Sequence, residues 1–425
     1  MIGNFCPLIW RSVAEKAMRD AAWRRERSES VEKSMRRVDE LREKASSLFE
    51  AGKYPETVNA AQAVRREQIR AYSLAHSPKS EEICGVWDHT GTGLYPGNWD
   101  KTCDLLARYG ITDLFVNMLW GGEAHYPSGV LPRSSVFRNY GDQISQCVVA
   151  AHKRNIRVHI WKVCWNLGGA PAAFTASLKR QGRLQKSSSG ETVNWLCPSS
   201  AENVRLEVDS LMEVVNRYAV DGIHLDYIRY KNSHFCCCEG CGKRFRKDTG
   251  MNSGRWPKML KTPKVRKIFD RWRCGRITHL VRELRTKLSQ TDPKVKLSAA
   301  VFGKYPSCVN SVAQDWVLWL KNGYLDFVSP MNYTGDLKAY DRLVRDQVGL
   351  SGAGEKIIPG IGVTATESRL DPASVIDQIM VTRGAGTGGF VLFDLNKTLE
   401  IETLPMLSLG ITADRARLTE GRKTR

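Results

Sequence analysis

The stretch 221-DGIHLDYIRY-230 places an aspartate inside a short apolar strand and an arginine just beyond it. Read at period two, Ile223 and Leu225 point to one face of that strand, while His224 and Asp226 point to the other. Asp226 therefore stands at the C-terminal end, opposite the aliphatic side chains. Burying an ionised carboxylate without a partner is costly. The strand by itself leaves two readings open: a structural salt bridge from Asp226 to Arg229 or a neighbouring lysine, or a carboxylate held there for chemistry.

The flanking sequence supplies the context. From residue 83 the chain alternates short apolar strands (ICGVWDH, DLFVNML, IRVHIWK, VDGIHLDY, KLSAAVF, LDFVSPMNY, IIPGIG and GGFVLFDL) with helical stretches such as NWDKTCDLLARYG and ENVRLEVDSLMEVVNRYAV. Eight strand–helix repeats predict an α/β (β/α)₈ TIM barrel over residues 83–410. A doubly wound open sheet is the runner-up, without its dinucleotide fingerprint. Upstream, Val31, Met35, Val38, Leu41, Ala45 and Leu48 recur at helical spacing, and Gly52 and Pro55 interrupt them. A second helical pattern then runs to Tyr72. Residues 1–80 thus read as an N-terminal helical region with a hairpin over about 28–75, and residues 411–425 as a basic tail.

The chain has 425 residues, 42% of them hydrophobic, and a formal charge of +19. Residues 243–286 concentrate the basic charge, with 15 Lys and Arg against Asp248, Asp270 and Glu283, a net +12. Such a segment either attracts polyanions or forms a solvated helix face. No nucleic-acid recognition motif accompanies it, so no specific nucleic acid is expected as a partner. No apolar run approaches a membrane span. NFCPLIW before Arg11 is too short for a secretory signal, which leaves a cytoplasmic protein or a start that differs from the biological one.

Barrel enzymes carry their chemistry at the C-terminal strand ends. Asp221 and Asp326 precede their strands and belong to the bottom face. Asp88, Asn117, Glu123, Asp226, Asn332, Tyr333 and Asp394 follow theirs and converge at the top. Trp87, Trp120, Trp161, Trp165, Trp195, Tyr333 and Phe393 add flat apolar surface of the kind that stacks on a sugar ring, and about half of them are expected to face a cleft. Glycosidic cleavage uses a proton donor and a second carboxylate. Asp226 is the leading candidate, with Glu123 and Asp394 as the expected catalytic partners and Asp88 and Asp315 as further options. Substrate contacts are expected from Asp88, Asn117, Trp120, Trp165, His224, Arg229, Asn332 and Tyr333. A lone histidine inside a barrel, as His224 is, is more often a satisfied core residue.

Twelve cysteines are present, and the run 234-HFCCCEGC-241 gathers several of them after the fourth strand. Cys236, Cys238 and Cys241 have the spacing of a structural zinc site, with His234 as a fourth ligand. A disulfide or plain thiols are the alternatives. No cofactor is expected for catalysis.

YAVDGIHLDYIRY following WLCPSSAENVR, with FVSPMNYT and GGFVLFDL, resembles the glycosyl-hydrolase-like 10 family, over roughly residues 83–400. The resemblance implies a (β/α)₈ barrel that hydrolyses a bacterial or environmental polysaccharide, with cell-wall glycan one possibility, and it places Asp226 at the catalytic strand end. It also implies export or a periplasmic location. A more distant similarity is to the chitinase-like pattern DGxDxDxE, matched by Asp221, Gly222 and Asp226 but with His224 and Ile228 at two of its acidic positions, so that family's substrate-assisted mechanism is not implied. The competing reading is a catalytically inactive carbohydrate-binding barrel.

Overall fold

The computed structural model of the protein describes residues 25–252 and 254–413. The expected basic tail lies outside the described residues from 414 onward.

Eight parallel strands form the centre: β1 (Ile83–Asp88), β2 (Asp113–Trp120), β3 (Arg157–Val163), β4 (Gly222–Asp226), β5 (Lys296–Phe302), β6 (Phe327–Met331), β7 (Gly360–Gly362) and β8 (Gly389–Phe393). Each pairs with its sequence neighbour, and β8 pairs with β1 from Ile83 opposite Gly389 to Trp87 opposite Phe393. That last ladder closes the ring and makes it a barrel rather than an open sheet. Helices cover its outside, among them Ala201–Arg217, which buries Val204, Val208, Leu211 and Val214 along one stripe and is capped by the Ser200 side chain accepting from the Asn203 N–H.

The strand alternation creates two cores. Outward residues such as Ile223 and Leu225 join the large core between strands and helices. Inward residues Trp87, Phe115, Trp161, Val163, Ala300, Phe327, Ile358 and Val391 fill the barrel lumen. Two glycines make room for lumen rings: a Cβ on Gly222 would sit 2.2 Å from His159 Nδ1, and one on Gly360 would sit 2.7 Å from the Trp87 ring. At the bottom, Asp221 accepts the Val158 N–H and Asp326 the Leu297 N–H, each at 2.7 Å, so both serve strand-to-strand structure.

Helices α1 (Arg25–Glu50) and α2 (Tyr54–Leu74) form an antiparallel hairpin beside the barrel. The second packs on helix Pro372–Gly384: Tyr72 Oη donates to Asp377 at 2.6 Å, and Arg65 pairs with Asp371 at 2.5 Å.

Candidate active site

The top of the barrel holds a cavity of about 250 Å³. Its walls come from several strand ends: Trp87 in β1 and His89 just after it, Trp120 from β2, Trp161 from β3, Asp226 of β4 and Tyr227 just after it, Met331 of β6 and Tyr333 just after it, Thr366 and Glu367 beyond β7, and Phe393 from β8. The rings face one another edge-on or stacked. His89 stands edge-on to Trp120 at 5.1 Å, and Tyr333 stacks on Phe393 at 5.2 Å. Apolar walls with a few polar groups are the usual make-up of a small-ligand site.

Asp226 is only 6% exposed. Its carboxylate accepts the N–H of Tyr227, at 2.6 Å, and belongs to no ion pair among the described residues. Tyr227 takes φ +51°, a left-handed conformation that turns the chain sharply at the strand end. Burial drives the Asp226 carboxyl up to about 6, against the opposing pull of the Tyr227 N–H, Arg229, Trp161 and His89. Near neutral pH it therefore exchanges a proton readily, the property of a general acid or base. Of the two readings open from the sequence, the salt bridge to Arg229 does not form. The Arg229 guanidinium instead lies over the rings of Tyr227 at 4.6 Å and Phe302 at 4.7 Å.

Of the other residues expected at the site, Trp120 and Tyr333 line the cavity. Burial, followed by the charges of Asp226, Asp394 and Glu367, holds the Tyr333 hydroxyl well above its usual range, so it remains a hydrogen-bond donor. Asp394 adjoins the cavity through Phe393, and its carboxylate accepts from Thr364 Oγ1 at 2.6 Å and Asn396 Nδ2 at 2.7 Å. Glu123 is half-buried on a two-residue strand paired with Trp120 and is not among the cavity-lining residues.

Several expected substrate contacts turn inward instead. Asp88 is fully buried and accepts from the N–H groups of Thr90 and Gly93 and from Thr90 Oγ1, folding the loop that presents His89. Asn117 donates to the His89 carbonyl at 3.3 Å. Asn332 exchanges two hydrogen bonds with Gln347. Trp165 is wholly buried, in the large core outside the barrel. His224 accepts from Trp87 Nε1 at 3.1 Å; an indole only donates, so the imidazole proton is on Nδ1, directed at Ser298 Oγ 2.8 Å away. Burial also pushes this histidine well below its usual range, and it positions Trp87 as a neutral ring. Asp315 caps helix Trp316–Lys321.

The residues not anticipated are His89, one position beyond β1, and Glu367, in the turn between the two-residue strands Thr364–Ala365 and Ser368–Arg369. Glu367 is exposed, and Thr366 Oγ1 donates to it at 3.1 Å. A second group lies apart from the cavity: the sulfurs of Cys197, Cys236, Cys238 and Cys241 all fall within 4.8 Å of one another.

The model of the glycosyl hydrolase-like 10 family matches residues 94–347, more than half of the chain. No curated protein sequence matches. Among solved structures, the glycoside hydrolase domain of PgaB (BpsB) from Bordetella bronchiseptica superposes with a TM-score of 0.59 at 14% identity, over 73% of this chain and 93% of that one. A β-galactosidase from the psychrophilic Marinomonas ef1 gives 0.57 at 12% identity, over 80% of this chain and 60% of its own. The catalytic domain of a β-amylase from Paenibacillus polymyxa gives 0.53 at 11%, over 81% and 98%. At these identities the likeness is one of fold.

Proposed function

The chain belongs to the glycosyl hydrolase-like 10 family, and from that premise we propose that it hydrolyses O-glycosidic bonds of a bacterial or environmental polysaccharide, with Asp226 as the proton donor. The observation that carries this reading is a carboxyl buried without an ion pair at the end of β4, in a cavity walled by Trp87, Trp120, Trp161, Tyr333 and Phe393. Protonated Asp226 gives its proton to the glycosidic oxygen as the C–O bond breaks, and the leaving sugar departs as an alcohol. The second carboxylate is Glu367, which shares the cavity; it activates water or attacks the sugar carbon. The rings stack on the sugar faces, and the cavity's size suits a single sugar unit at the cleavage point. Cell-wall glycan is one substrate this chemistry accommodates.

Incubating the purified protein with a panel of bacterial wall and plant glycans tests the proposal. New reducing ends from at least one of them, lost in Glu367→Gln, are expected. Retained binding to a glycan with no reducing ends released would favour the inactive carbohydrate-binding reading.

A further inference from the structure

We propose that Cys197, Cys236, Cys238 and Cys241 bind one structural zinc ion as a tetrathiolate, clamping the loop that follows β4. The inference is independent of whether the cavity hydrolyses glycans. Cys236, Cys238 and Cys241 were legible as ligands from their spacing; the fold supplies the fourth from elsewhere. Cys197 directly follows the strand Thr192–Leu196, whose hairpin partner is Leu184–Lys186, and it reaches the cluster from 41 residues before Cys238.

The geometry is that of a metal site. Cys197 Sγ lies 3.4 Å from Cys241 Sγ and 3.9 Å from Cys238 Sγ. Zinc–sulfur bonds of about 2.3 Å put the corners of a regular tetrahedron about 3.8 Å apart. A disulfide needs about 2.05 Å, and none is formed among the described residues. All four thiols are buried. His234, the other candidate ligand, is exposed and outside the cluster. Cys237 turns away and donates to the His234 carbonyl at 3.6 Å.

The surroundings suit bound thiolates. Four thiolates on Zn²⁺ leave two negative charges, and hydrogen-bond donors gather around them. The N–H of Lys186 points at Cys236 Sγ and that of Cys241 at Cys238 Sγ, both at 3.3 Å. Ser199 Oγ lies 3.2 Å from the sulfurs of both Cys197 and Cys241. Arg244 donates to Ser199 Oγ at 3.0 Å and places Nη2 4.0 Å from Cys197 Sγ. Cys238 is the N-cap of helix Glu239–Thr249, whose positive end favours thiolates. Donors aimed at ligand atoms commonly orient metal sites. Four sulfurs in tetrahedral array select zinc or iron, and a redox-inert zinc fits a site built into a structural loop.

The full chain, purified under reducing, chelator-free conditions, is expected to carry about one zinc per chain by elemental analysis. Cys197→Ser should lose at least nine-tenths of it, while His234→Ala and Cys237→Ser keep it. A zinc-free or iron-bearing wild type, or zinc lost in His234→Ala but kept in Cys197→Ser, overturns the assignment. Should Cys197→Ser fail to fold, alkylation of the wild type with and without chelator decides: protection of Cys197, Cys236, Cys238 and Cys241 that chelation lifts supports the site, and protection unchanged by chelation rejects it. Cobalt substitution gives a third reading: thiolate ligation shows as sulfur-to-metal charge-transfer absorption and tetrahedral geometry as intense visible ligand-field bands, and the absence of either overturns the assignment.

Discussion

Asp113 at the foot of the barrel and Asp226 at its top are both buried, 0% and 6% exposed, yet burial has opposite outcomes for them. Burial would raise Asp113, but His159 at 3.0 Å and Arg157 at 2.6 Å more than offset it and hold the carboxyl at about 2. Asp226 has no such cation and rises to about 6. The difference lies in the partners: a buried carboxylate with its cation is structure, and one without is strained toward taking up a proton. The same contrast separates Asp221 and Asp326, which accept strand N–H groups, from the acids around the cavity.

The sharpest test of the lower half is Asp113→Asn. It breaks a buried pair and should destabilise the fold by about 3 kcal/mol, with activity per folded molecule unchanged. Because the folded Asp113 titrates below its unfolded value, its contribution is present above pH about 4 and is lost as pH falls toward about 2. Chemical denaturation across that range measures it. Equal stability of mutant and wild type at pH 7 would remove the contrast.

Asp226→Asn should move stability the other way. The folded carboxyl binds its proton more tightly than the unfolded one, so the wild type loses stability as pH rises from about 4 through about 6. At pH 7 the neutral amide should therefore gain on the order of 2–3 kcal/mol, and the gain should vanish near pH 4. A lowered melting temperature at pH 7 would instead revive a salt-bridge role.

Much of this was legible in the chain. Period-two strands separated by amphipathic helices marked the barrel, and Asp226 stood out because it follows an apolar run on the lumen-facing side. The aromatic residues at strand ends marked the cavity wall: Trp87, Trp120, Trp161, Tyr333 and Phe393 reach it. Position after a strand could not say whether a side chain is already engaged. Asp88, Asn117 and Asn332 follow their strands as Asp226 does, but local N–H, carbonyl or amide groups engage them. Glu367 was hidden because β7 has only three residues and the acid lies in a turn beyond it. Cys197 was hidden because its partners are far away in sequence and meet it only through the β-hairpin and the loop after β4.

A smaller effect probes the cavity wall. Trp120→Ala removes one stacking surface and should raise KM roughly three- to tenfold, as expected for about 1 kcal/mol of ring contact, with kcat little changed in steady-state assays. An unchanged KM would place the sugar elsewhere.

The most direct measurement is the pH dependence of turnover for the wild type and Asp226→Asn on whichever glycan releases reducing ends. With Asp226 as general acid, wild-type kcat/KM should fall as pH rises above about 6, and the folded, more stable mutant should lose on the order of 10²-fold or more of its rate together with that alkaline limb. An Asp226→Asn protein with wild-type turnover and the same limb would contradict the account.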